Sequence, residues 1–318
     1  MVLQARIEMG KAEGLRRALQ KIEGQPRVYP NMLPTQASLR WSTTQPPLVT
    51  FDKRFWKQSL ILPDPDEFWV EGDWSGIEAR IFTAQTGDEE DLELFRRGAD
   101  IHTFTCAKYL MAWAPNLVPS SPIEDYHLPD DWEGSKDARR VRAKNFRYGV
   151  LQYGSGAKAV LTIPGIETLG LDRLALVGRA NRFLNARPRA VAFKQKVWED
   201  CVKEKMARTF MGARRMLWSR PEDRAKEGLN HKIQGAVANM MNWCLIEILV
   251  NREPHTTRLI LNKHDGMILG FKLSSWSVDH AMKLCRSVFE KEWEFDGISM
   301  AFPMEWETWD HTGERKKL

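Results

Sequence analysis

Two aspartates have the residue type and the local setting for metal-dependent chemistry. Asp73 ends the run FWVEGD, and Asp265 lies between the apolar runs RLILNK and MILGF. Each stands where a predicted strand gives way to a turn, and such ends present side chains to a cleft. Two carboxylates from separated strands can hold two Mg²⁺ ions about 4 Å apart, which stabilises attacking and leaving oxygens in phosphoryl transfer. Taken singly, each aspartate is explained slightly better as a turn residue.

A basic segment, KDARRVRAKNFRYG at residues 136–149, provides a second set of candidates. Four residues in it and just after it recur at every fourth position: Arg140, Lys144, Tyr148 and Gln152. On a helix they form one stripe with cations at one end and an aromatic ring beyond. Such a stripe matches a nucleotide, because cations bind phosphates while the ring stacks on base and sugar. The alternative is a solvated helix face, the usual reason for a run of charges.

Two further polar residues have both a structural and a functional interpretation. Ser75 and Glu78 have the S-x-x-E spacing of a capping box, which would make Glu78 a helix-start residue. One helical turn past Asp73, the same Glu78 could equally line a substrate pocket. His102 follows Asp100 in the first turn of a predicted helix, where it is either a capping participant or a phosphate donor.

Apolar periodicity predicts the elements that must position these residues. It predicts a strand before Asp73, then a helix over the spacing of Ile77, Ile81 and Ala84, then a second helix opening at Asp100. Residues 171–207 are predicted to be mainly helical. A helix over residues 229–250 is predicted with one apolar side, formed by Ile233, Val237, Met240, Cys244 and Ile248.

The segment around Asp265 and the first 66 residues predict different kinds of local structure. Asp265-Gly266 between apolar runs predicts a hairpin, because both central positions of the favoured turn need positive φ. Residues 1–23 predict an amphipathic helix, and the proline-rich residues 24–66 predict turns and short strands.

The composition describes a folded protein. A length of 318 residues allows one large or two modest domains, and 43% hydrophobic with 28% charged residues is ordinary for a globular chain. The net charge of +5 weakly favours a polyanionic partner. Four separated cysteines without a CxxC pair argue against a zinc knuckle and a disulfide framework. The sequence shows neither a signal peptide nor a membrane span, so we expect a cytoplasmic protein without a membrane partner.

Together these segments resemble the polymerase core of family A DNA polymerases, the family of bacterial DNA polymerase I and many phage replicases. The likeness runs from about Thr35 to the end of the chain. In the family's order, the segments that carry it are RWSTTQP (40–46), DWSGIEAR (73–80), GD (87–88), FRRG (95–98), DIHT (100–103), RVRAKNFRYG (140–149), NHKIQG (230–235) and HD (264–265). Chance would have to reproduce them all in the same order, so the resemblance favours the functional interpretation of Asp73 and Asp265.

The resemblance implies a role for each candidate. Asp73 and Asp265 would be catalytic and bind two Mg²⁺ ions, with Mn²⁺ as a substitute and the Trp74 carbonyl as an extra ligand. The nucleotide would be bound by Arg140, Lys144, Tyr148, His102, Glu78, Gln152 and Tyr153. Among these, Arg140, Lys144 and His102 would bind phosphates, and Glu78 would exclude a ribose 2′ hydroxyl while hydrogen-bonded to an aromatic hydroxyl. Primer or template would be contacted by Arg40, Asn230, Gln234 and His264.

The resemblance also implies an α+β fold, with an antiparallel palm sheet and mostly helical fingers, the thumb largely absent and no exonuclease domain. The implied divisions are an N-terminal helix and leading segment (thumb remnant) at 1–34, first palm part at 35–99, fingers at 100–229 and second palm part at 230–318. The implied activity is template-directed addition of deoxynucleotides to a primer 3′ end. No D-x-E stands in the first sixty residues, so we expect no intrinsic 3′-5′ proofreading.

The implied partners are primer–template DNA, dNTPs and a separate polypeptide that supplies a thumb, exonuclease or processivity function. The implied location is the cytoplasm of a bacterial or phage-infected cell. Two other functions stay open: a catalytically inactive polymerase-like subunit that binds nucleic acid, and a metal-dependent nuclease that uses the same aspartates. Retention of Asp73, Asp265, Arg140 and Lys144 argues against the inactive subunit.

The sequence departs from the family pattern at several positions. Gly266 stands where the family normally has Glu, while Gly76 and Ala79 replace the usual Gln and Leu. After Gly149, the run VLQYG is one residue longer than the usual x-x-Y-G. Either Gln152 or Tyr153 could therefore occupy the position of the family's template-side tyrosine.

Tyr148 occupies a position that is Phe or Tyr in the family, and the Tyr form is associated with poor rejection of dideoxynucleotides. We therefore expect efficient dideoxynucleotide incorporation. Competition between deoxy and dideoxy substrates in primer extension measures this, and a strong preference for the deoxy substrate would contradict the expectation.

Overall fold

The fold is described from a computed structural model, which covers residues 16, 20, 31–33, 39–44, 63–154, 156–253 and 255–318. The predicted helix over residues 1–23 lies outside these residues except at Arg16 and Gln20. Most of the predicted turn-rich segment 24–66 also lies outside them.

The described residues form strands and helices in a mixed order along the chain. The strands are β1 Asn31–Leu33, β2 Ser42–Thr44, β3 Glu67–Trp74, β4 Met206–Arg208, β5 Arg214–Met216, β6 Thr257–Asn262, β7 Gly266–Lys272, β8 Trp293–Phe295, β9 Ile298–Met300, β10 Met304–Trp309 and β11 Arg315–Lys317. The α-helices are α1 Ile77–Thr86, α2 Glu89–Arg96, α3 Ile101–Thr105, α4 Ala138–Phe146, α5 Arg173–Asn185, α6 Pro188–Glu204, α7 Pro221–Asn230, α8 Ala236–Ile246 and α9 Val278–Phe289. Wider π-helical turns follow four of the helices, at Cys106–Leu110, Arg147–Gln152, His231–Gly235 and Glu247–Arg252. Short 3-10 helices lie at Ile123–Tyr126, Gly134–Lys136, Ala157–Thr162 and Ile166–Leu169.

The chain packs as two units. The sheet unit takes the described parts of residues 1–77, 234–292 and 301–318, and the helical unit takes those of 78–233 and 293–300. Residues 78–99, which the sequence assigns to the first palm part, thus fall in the helical unit. They do so because α1 packs there, with the rings of Phe82 and Phe193 at 6.1 Å. The division into palm and fingers stays a prediction.

A five-stranded antiparallel sheet, in the order β11-β10-β3-β7-β6, is the framework of the sheet unit. Its central strand β3 is buried over nearly its whole length, which agrees with the predicted strand before Asp73. The rings of Phe68 and Phe271 stack across β3 and β7 at 5.6 Å. Helix α9 covers the end of β3, where Trp74 Nε1 donates to the Phe289 carbonyl oxygen at 3.0 Å.

One long helical run, Pro221–Arg252, contains the predicted helix over residues 229–250. Its predicted apolar side is confirmed, since all five residues are 0% exposed: Ile233, Val237, Met240, Cys244 and Ile248. Among the described residues, this run is the one helix long and apolar enough to cross a membrane, with 56% of its most apolar window buried inside the protein. A buried core helix meets the same criterion, so the run is weak support for a membrane span.

A buried cluster of charges holds the helical unit together. Asp91 on α2 is 1% exposed and accepts hydrogen bonds from the guanidinium groups of Arg147 and Arg187, which are equally buried. Arg187 Nη2 also lies 2.6 Å from Glu90 Oε2. Burial alone would raise the pKa of Asp91, but the two arginines outweigh it and lower the pKa to about 2. The cluster thereby fixes α2 against the residues that follow α4 and precede α6.

Beside this cluster, Asp88 caps α2 by accepting the Asp91 N–H at 3.4 Å. Burial, and then the charge of Asp91, raises the pKa of Asp88 to about 6. Because the pKa of this carboxyl is higher in the folded than in the unfolded protein, the free energy of unfolding falls as the pH rises from about 4 to about 6. Above pH 6 the ionised Asp88 therefore destabilises the folded state.

We expect Asp88→Asn to stabilise the fold at high pH only. Asn caps a helix as well as Asp does and carries no charge, so about 1–3 kcal/mol should be gained at pH 8 and nothing at pH 4. Urea unfolding at the two pH values measures the difference. Asp88→Ala, which removes the capping oxygen, should be destabilised at pH 4. An Asp88→Asn effect that is equal at both pH values would contradict the assignment.

Candidate active site

Asp73 and Asp265 lie next to each other in the sheet unit, one on β3 and the other in the turn that leads into β7. Asp73, the penultimate residue of β3, pairs in register with Gly266, the first residue of β7. The Trp74 N–H donates to the Asp265 carbonyl oxygen at 2.9 Å. Both aspartates are partly exposed. One end of the β3–β7 pair therefore presents two carboxylates to solvent.

The turn that carries Asp265 differs from the predicted one. Antiparallel pairing of β6 with β7 confirms the hairpin. However, positive φ falls on His264, at 78°, and on neither Asp265 nor Gly266. The Asp265 N–H donates to the Lys263 carbonyl oxygen at 3.1 Å and closes a three-residue γ-turn. The Lys263 N–H donates to the Gly266 carbonyl oxygen at 2.7 Å, so the turn is centred on His264 and Asp265 and not on Asp265-Gly266. The predicted positive φ at Asp265 and Gly266 is therefore wrong, and the strain of a non-glycine residue at positive φ falls on His264.

A buried ion pair next to the aspartates is absent from the sequence predictions. Lys263 Nζ contacts Glu71 Oε1, and their side chains are 10% and 6% exposed. Glu71 lies two residues before Asp73, on the same face of β3, and Lys263 lies two residues before Asp265. The pair thus ties the turn that carries one aspartate to the strand that carries the other. In the sequence, an acid stands two residues before Asp73 and a base stands two residues before Asp265. This matched spacing is the signal from which the ion pair could have been predicted.

A further acidic residue missed by the sequence reasoning is Glu305 on β10. It is exposed and pairs in register with Asp73 from the side of β3 opposite to β7. Directly paired residues on neighbouring strands share a face, so Glu305 adds negative charge to the face that carries Asp73.

The donor set suits a magnesium site that substrate completes. Within the described residues, no group of three or more His, Cys, Asp or Glu side chains is arranged to hold a metal ion. Mg²⁺ is commonly bound by one or two carboxylates together with waters and substrate phosphates, and not by a full protein cage. Asp73 and Asp265 therefore fit this ion.

The helical unit brings several predicted nucleotide-binding residues together. Lys144 Nζ lies 5.8 Å from the centre of the Tyr148 ring. The centre of the His102 ring also lies 5.8 Å from the centre of the Tyr148 ring. Arg140 donates two hydrogen bonds to the Asp100 carboxylate, one of them at 2.9 Å. Arg140 is therefore already paired, and a phosphate that binds it must share or replace Asp100.

His102 is a neutral group in this setting. Its side chain is buried, and its backbone N–H donates to Asp100 Oδ1 at 3.1 Å. Burial, followed by the charge of Arg147, lowers the pKa of His102 to about 3. At neutral pH His102 can donate a hydrogen bond to a phosphate but adds no positive charge. Asp100 supplies the helix cap that the sequence predicts.

The helix that bears the predicted stripe changes geometry at its end. Arg147–Gln152 is a π-helical turn, and the Tyr153 N–H reaches back five residues to the Tyr148 carbonyl oxygen at 2.8 Å. A π-turn accommodates one residue more than an α-turn. The stripe therefore stops at Tyr148, and Gln152 is instead 1% exposed.

Tyr153, and not Gln152, meets the residue expected to limit the sugar. Its hydroxyl donates to Glu78 Oε2 at 2.6 Å. Burial and the neighbouring Glu78 charge raise the pKa of Tyr153, so the hydroxyl keeps its proton. Lys194 Nζ donates to the Gly154 carbonyl oxygen directly afterwards, and burial lowers the pKa of this lysine to about 8. The aromatic hydroxyl expected near Glu78 is therefore Tyr153.

The capping interpretation of Glu78 does not hold. Helix α1 begins at Ile77, so Ser75 lies one residue before the cap position. A capping box needs the Ser75 N–H as donor, but this group donates to the Pro303 carbonyl oxygen at 2.9 Å.

Only part of the basic segment is available to a ligand. Arg147 belongs to the buried cluster with Asp91. Arg139 pairs with Asp131 at 3.0 Å and with Asp137, the residue that caps α4. Lys144 is exposed. Several cations of the segment therefore neutralise carboxylates of the same unit.

The predicted primer and template residues divide between the units. Arg40 and His264 belong to the sheet unit, where burial and the Arg40 charge lower the pKa of His264. Gln234 also lies in the sheet unit, whereas Asn230 ends α7 in the helical unit. All four are partly exposed.

Gly266 is expected to be required for the spacing of the aspartates. A Cβ at this position would lie 2.8 Å from the Gly72 carbonyl oxygen and 3.3 Å from Asp73 Oδ1. Gly266→Ala should therefore shift Asp73, weaken Mn²⁺ binding several-fold and cost about 1–3 kcal/mol of stability. Titration of the Mn²⁺ EPR signal and urea unfolding measure the two effects.

Gly270→Ala is the matched control for this prediction. Gly270 lies on the same strand, and its Cβ would be 3.0 Å from Glu67 Oε1, away from both aspartates. This variant should lose stability without losing Mn²⁺ affinity. Equal Mn²⁺ binding by the wild type and both variants would show that Gly266 does not set the spacing.

Curated relatives of the chain are bacterial DNA polymerases. It is 23% identical to DNA polymerase I of Geobacillus stearothermophilus over 273 residues, covering 81% of this chain and 28% of that protein. It is 26% identical to the thermostable DNA polymerase I of Thermus filiformis over 240 residues, covering 73% of this chain and 26% of that protein. The chain thus spans about a quarter of the length of these relatives.

The fold is also found among solved structures. The polymerase domain of Pol1 from M. smegmatis, in complex with DNA primer–template and dNTP, matches 96% of this chain and 52% of its own, with a TM-score of 0.75 and 19% identity. This match and the antiparallel sheet confirm the α+β polymerase fold that the motifs imply. The family described as DNA polymerase family A matches residues 12–309. The chain therefore belongs to DNA polymerase family A.

Proposed function

We propose that this chain catalyses template-directed addition of deoxynucleotides to a primer 3′ end by two-metal-ion nucleotidyl transfer. The observation that carries the proposal is the register of β3 and β7, which pairs Asp73 with Gly266 and so brings Asp265 alongside Asp73. Family membership supports the reaction class, and the two-carboxylate donor set supports the metal.

Asp73 and Asp265 would hold two Mg²⁺ ions, with the Trp74 carbonyl as an added ligand. When bound, these ions would lower the pKa of the primer 3′ hydroxyl and neutralise charge on the triphosphate and departing pyrophosphate. In the reaction the hydroxyl oxygen bonds to the α-phosphorus, the bond from that phosphorus to pyrophosphate breaks, and the hydroxyl proton is released. The Glu71–Lys263 pair would keep the turn with Asp265 fixed on β3 during this step.

Lys144 and Arg140 would bind the triphosphate, and Tyr148 would stack on base and sugar. Lys144 supports this role by its exposure and its position above the Tyr148 ring. Arg140 would exchange Asp100 for phosphate, since a guanidinium group forms bidentate hydrogen bonds with carboxylate and phosphate alike. His102, neutral at physiological pH, would donate one hydrogen bond.

Glu78 would exclude the ribose 2′ hydroxyl, with Tyr153 holding its carboxylate. Arg40, Asn230, Gln234 and His264 would contact primer or template, and His264 would do so as a neutral group. We place the enzyme in the cytoplasm of a bacterial or phage-infected cell, working on primer–template DNA and dNTPs. A separate polypeptide would supply thumb, exonuclease or processivity functions. We also propose that this chain does not itself remove a mismatched primer end, a property that incubation with a mismatched primer tests.

Loss of either aspartate carboxylate should abolish most of the extension activity. Asp73→Asn and Asp265→Asn keep the side-chain shape but weaken metal binding by several kcal/mol, so each should lower the rate at least about 100-fold. Primer extension with Mg²⁺ measures the rates. Asp279→Asn, an exposed carboxylate at the start of α9, is the matched control and should stay within about twofold.

The same assay decides between polymerase and inactive subunit. Equal background from the wild type and both aspartate variants, with primer–template binding intact, would identify a nucleic-acid-binding subunit. Strand cleavage without nucleotides, lost in both variants, would identify a nuclease.

Sugar discrimination should depend on Glu78 and Tyr153. Glu78→Ala removes the side chain expected to meet the 2′ hydroxyl and should raise ribonucleotide incorporation relative to deoxynucleotide at least about tenfold. Tyr153→Phe removes only the 2.6 Å hydrogen bond to Glu78 and should give a smaller increase. Single-nucleotide extension with each sugar measures the ratio. Tyr109→Phe, which removes a hydroxyl hydrogen bond to Glu90 in the same unit, is the matched control and should leave the ratio unchanged. An effect of Gln152→Leu larger than that of Tyr153→Phe would reverse the assignment of Tyr153.

A further inference from the structure

The short hairpin of β4 and β5 has one face held against the helical unit. Ala207 on this face is 2% exposed, and Arg215 Nη2 lies 3.1 Å from Glu227 Oε2 on α7. Leu217, fully buried, extends the paired ribbon by one backbone hydrogen bond of 2.8 Å. The register pairs Met206 with Met216, Ala207 with Arg215, and Arg208 with Arg214.

The other face of the hairpin is open to solvent. Because residues alternate along a strand and paired residues share a face, it carries Met206, Arg208, Arg214 and Met216. The alternation continues to Trp218, whose neighbour Leu217 points inward. Met216 is 48% exposed and Trp218 is 81% exposed. A large indole thus stands at one end of an exposed ribbon, with two arginines at the other.

Packing at the loop keeps this ribbon in place. The ring of Phe210 lies 4.2 Å from that of Phe295. The Ala213 N–H donates to Thr209 Oγ1 at 3.1 Å, and His231 Nε2 lies 3.1 Å from the Ala213 carbonyl oxygen. The exposed side chains therefore project from a backbone that is fixed before any ligand arrives.

The charges on the open face lack a structural explanation. Arg208 and Arg214 are directly opposite each other, an arrangement that destabilises a strand pair. In the described part of the chain, neither arginine has a carboxylate within ion-pair distance. Residues 203–220 contain six Lys and Arg and one Glu. Such a concentration of positive charge attracts a polyanion.

The chemistry of the face fits an unpaired nucleic-acid strand. Guanidinium groups bind phosphates with two parallel hydrogen bonds, and an exposed indole stacks on a base. Stacking on a side chain needs a base free of its partner strand, which disfavours duplex. A folded protein partner is also disfavoured, because a stable interface needs about 800 Å² from each partner and two three-residue strands offer far less.

We propose that the open face of the β4–β5 hairpin binds a single nucleic-acid strand, with phosphates on Arg208 and Arg214 and one base stacked on Trp218. The inference rests on the proposed function for the identity of the strand, which is the unpaired template. Binding itself needs neither aspartate, metal nor nucleotide.

The test is the affinity of the full chain for a fluorescein-labelled oligothymidylate of 20 nucleotides, measured by anisotropy without metal or nucleotide. Trp218→Ala should weaken binding at least about fivefold, whereas Trp218→Phe, which keeps a stacking ring, should stay within about twofold. Arg208→Glu with Arg214→Glu should weaken binding at least about tenfold and lower the slope of log affinity against log salt by about 1.4, as expected for two lost phosphate contacts.

Leu174→Ala and Arg173→Glu on α5 are matched controls, since Leu174 is 83% exposed and Arg173 is its exposed neighbour. Both should bind within twofold of the wild type. The proposal is overturned if Trp218→Ala binds within twofold, or if Leu174→Ala is weakened as much. Wild-type primer extension is scored separately: an inactive chain whose oligonucleotide binding still depends on Trp218 would refute the proposed function and leave this surface standing.

Discussion

The antiparallel pairing of β3 with β7 is the constraint on which the candidate site depends. Side chains alternate between the faces of a strand, so a slip of one residue would turn Asp73 to the opposite face and separate it from Asp265. The register is held by apolar contacts well away from the aspartates, such as the stacked rings of Phe68 and Phe271. The packing that buries the sheet core therefore also places the two carboxylates side by side.

In the helical unit, buried ion pairs and not strand pairing hold the elements in place. Its cationic nucleotide-binding candidates, Arg140 and Lys144, lie on α4, and the Asp91–Arg147–Arg187 cluster fixes the turn that follows this helix. An ion pair of this kind is weak support for stability, since burying charge is costly, but breaking it is more costly still. The cluster therefore favours one position for α4, and it removes Arg147 from the cations that the basic segment can offer to a ligand.

The sequence predicted the elements and the candidate residues better than their local geometry. Apolar spacing was sufficient for β3 and for the helix with Met240 and Cys244 on its buried side, and Asp265-Gly266 between two apolar runs was sufficient for the β6–β7 hairpin. These signals could not predict the γ-turn at His264, because the centre of a turn depends on where strand pairing stops. Nor could it predict that Arg147 is buried, since a cation on a helix face has no local signal for a partner 56 residues away. The pairing of Glu71 with Lys263 likewise depends on tertiary contact.

The π-helical turn after α4 has a consequence for how this helix can vary. Each residue of an α-helix advances it by about 100°, so an inserted residue would normally rotate everything that follows to another side. Here the wider turn takes up the rotation locally, and Arg140 and Lys144 before it are unaffected. Chain length, and not only residue type, is thus a variable in this helix: the π-turn has room for one residue more than an α-turn, and Tyr153 after it still reaches Glu78.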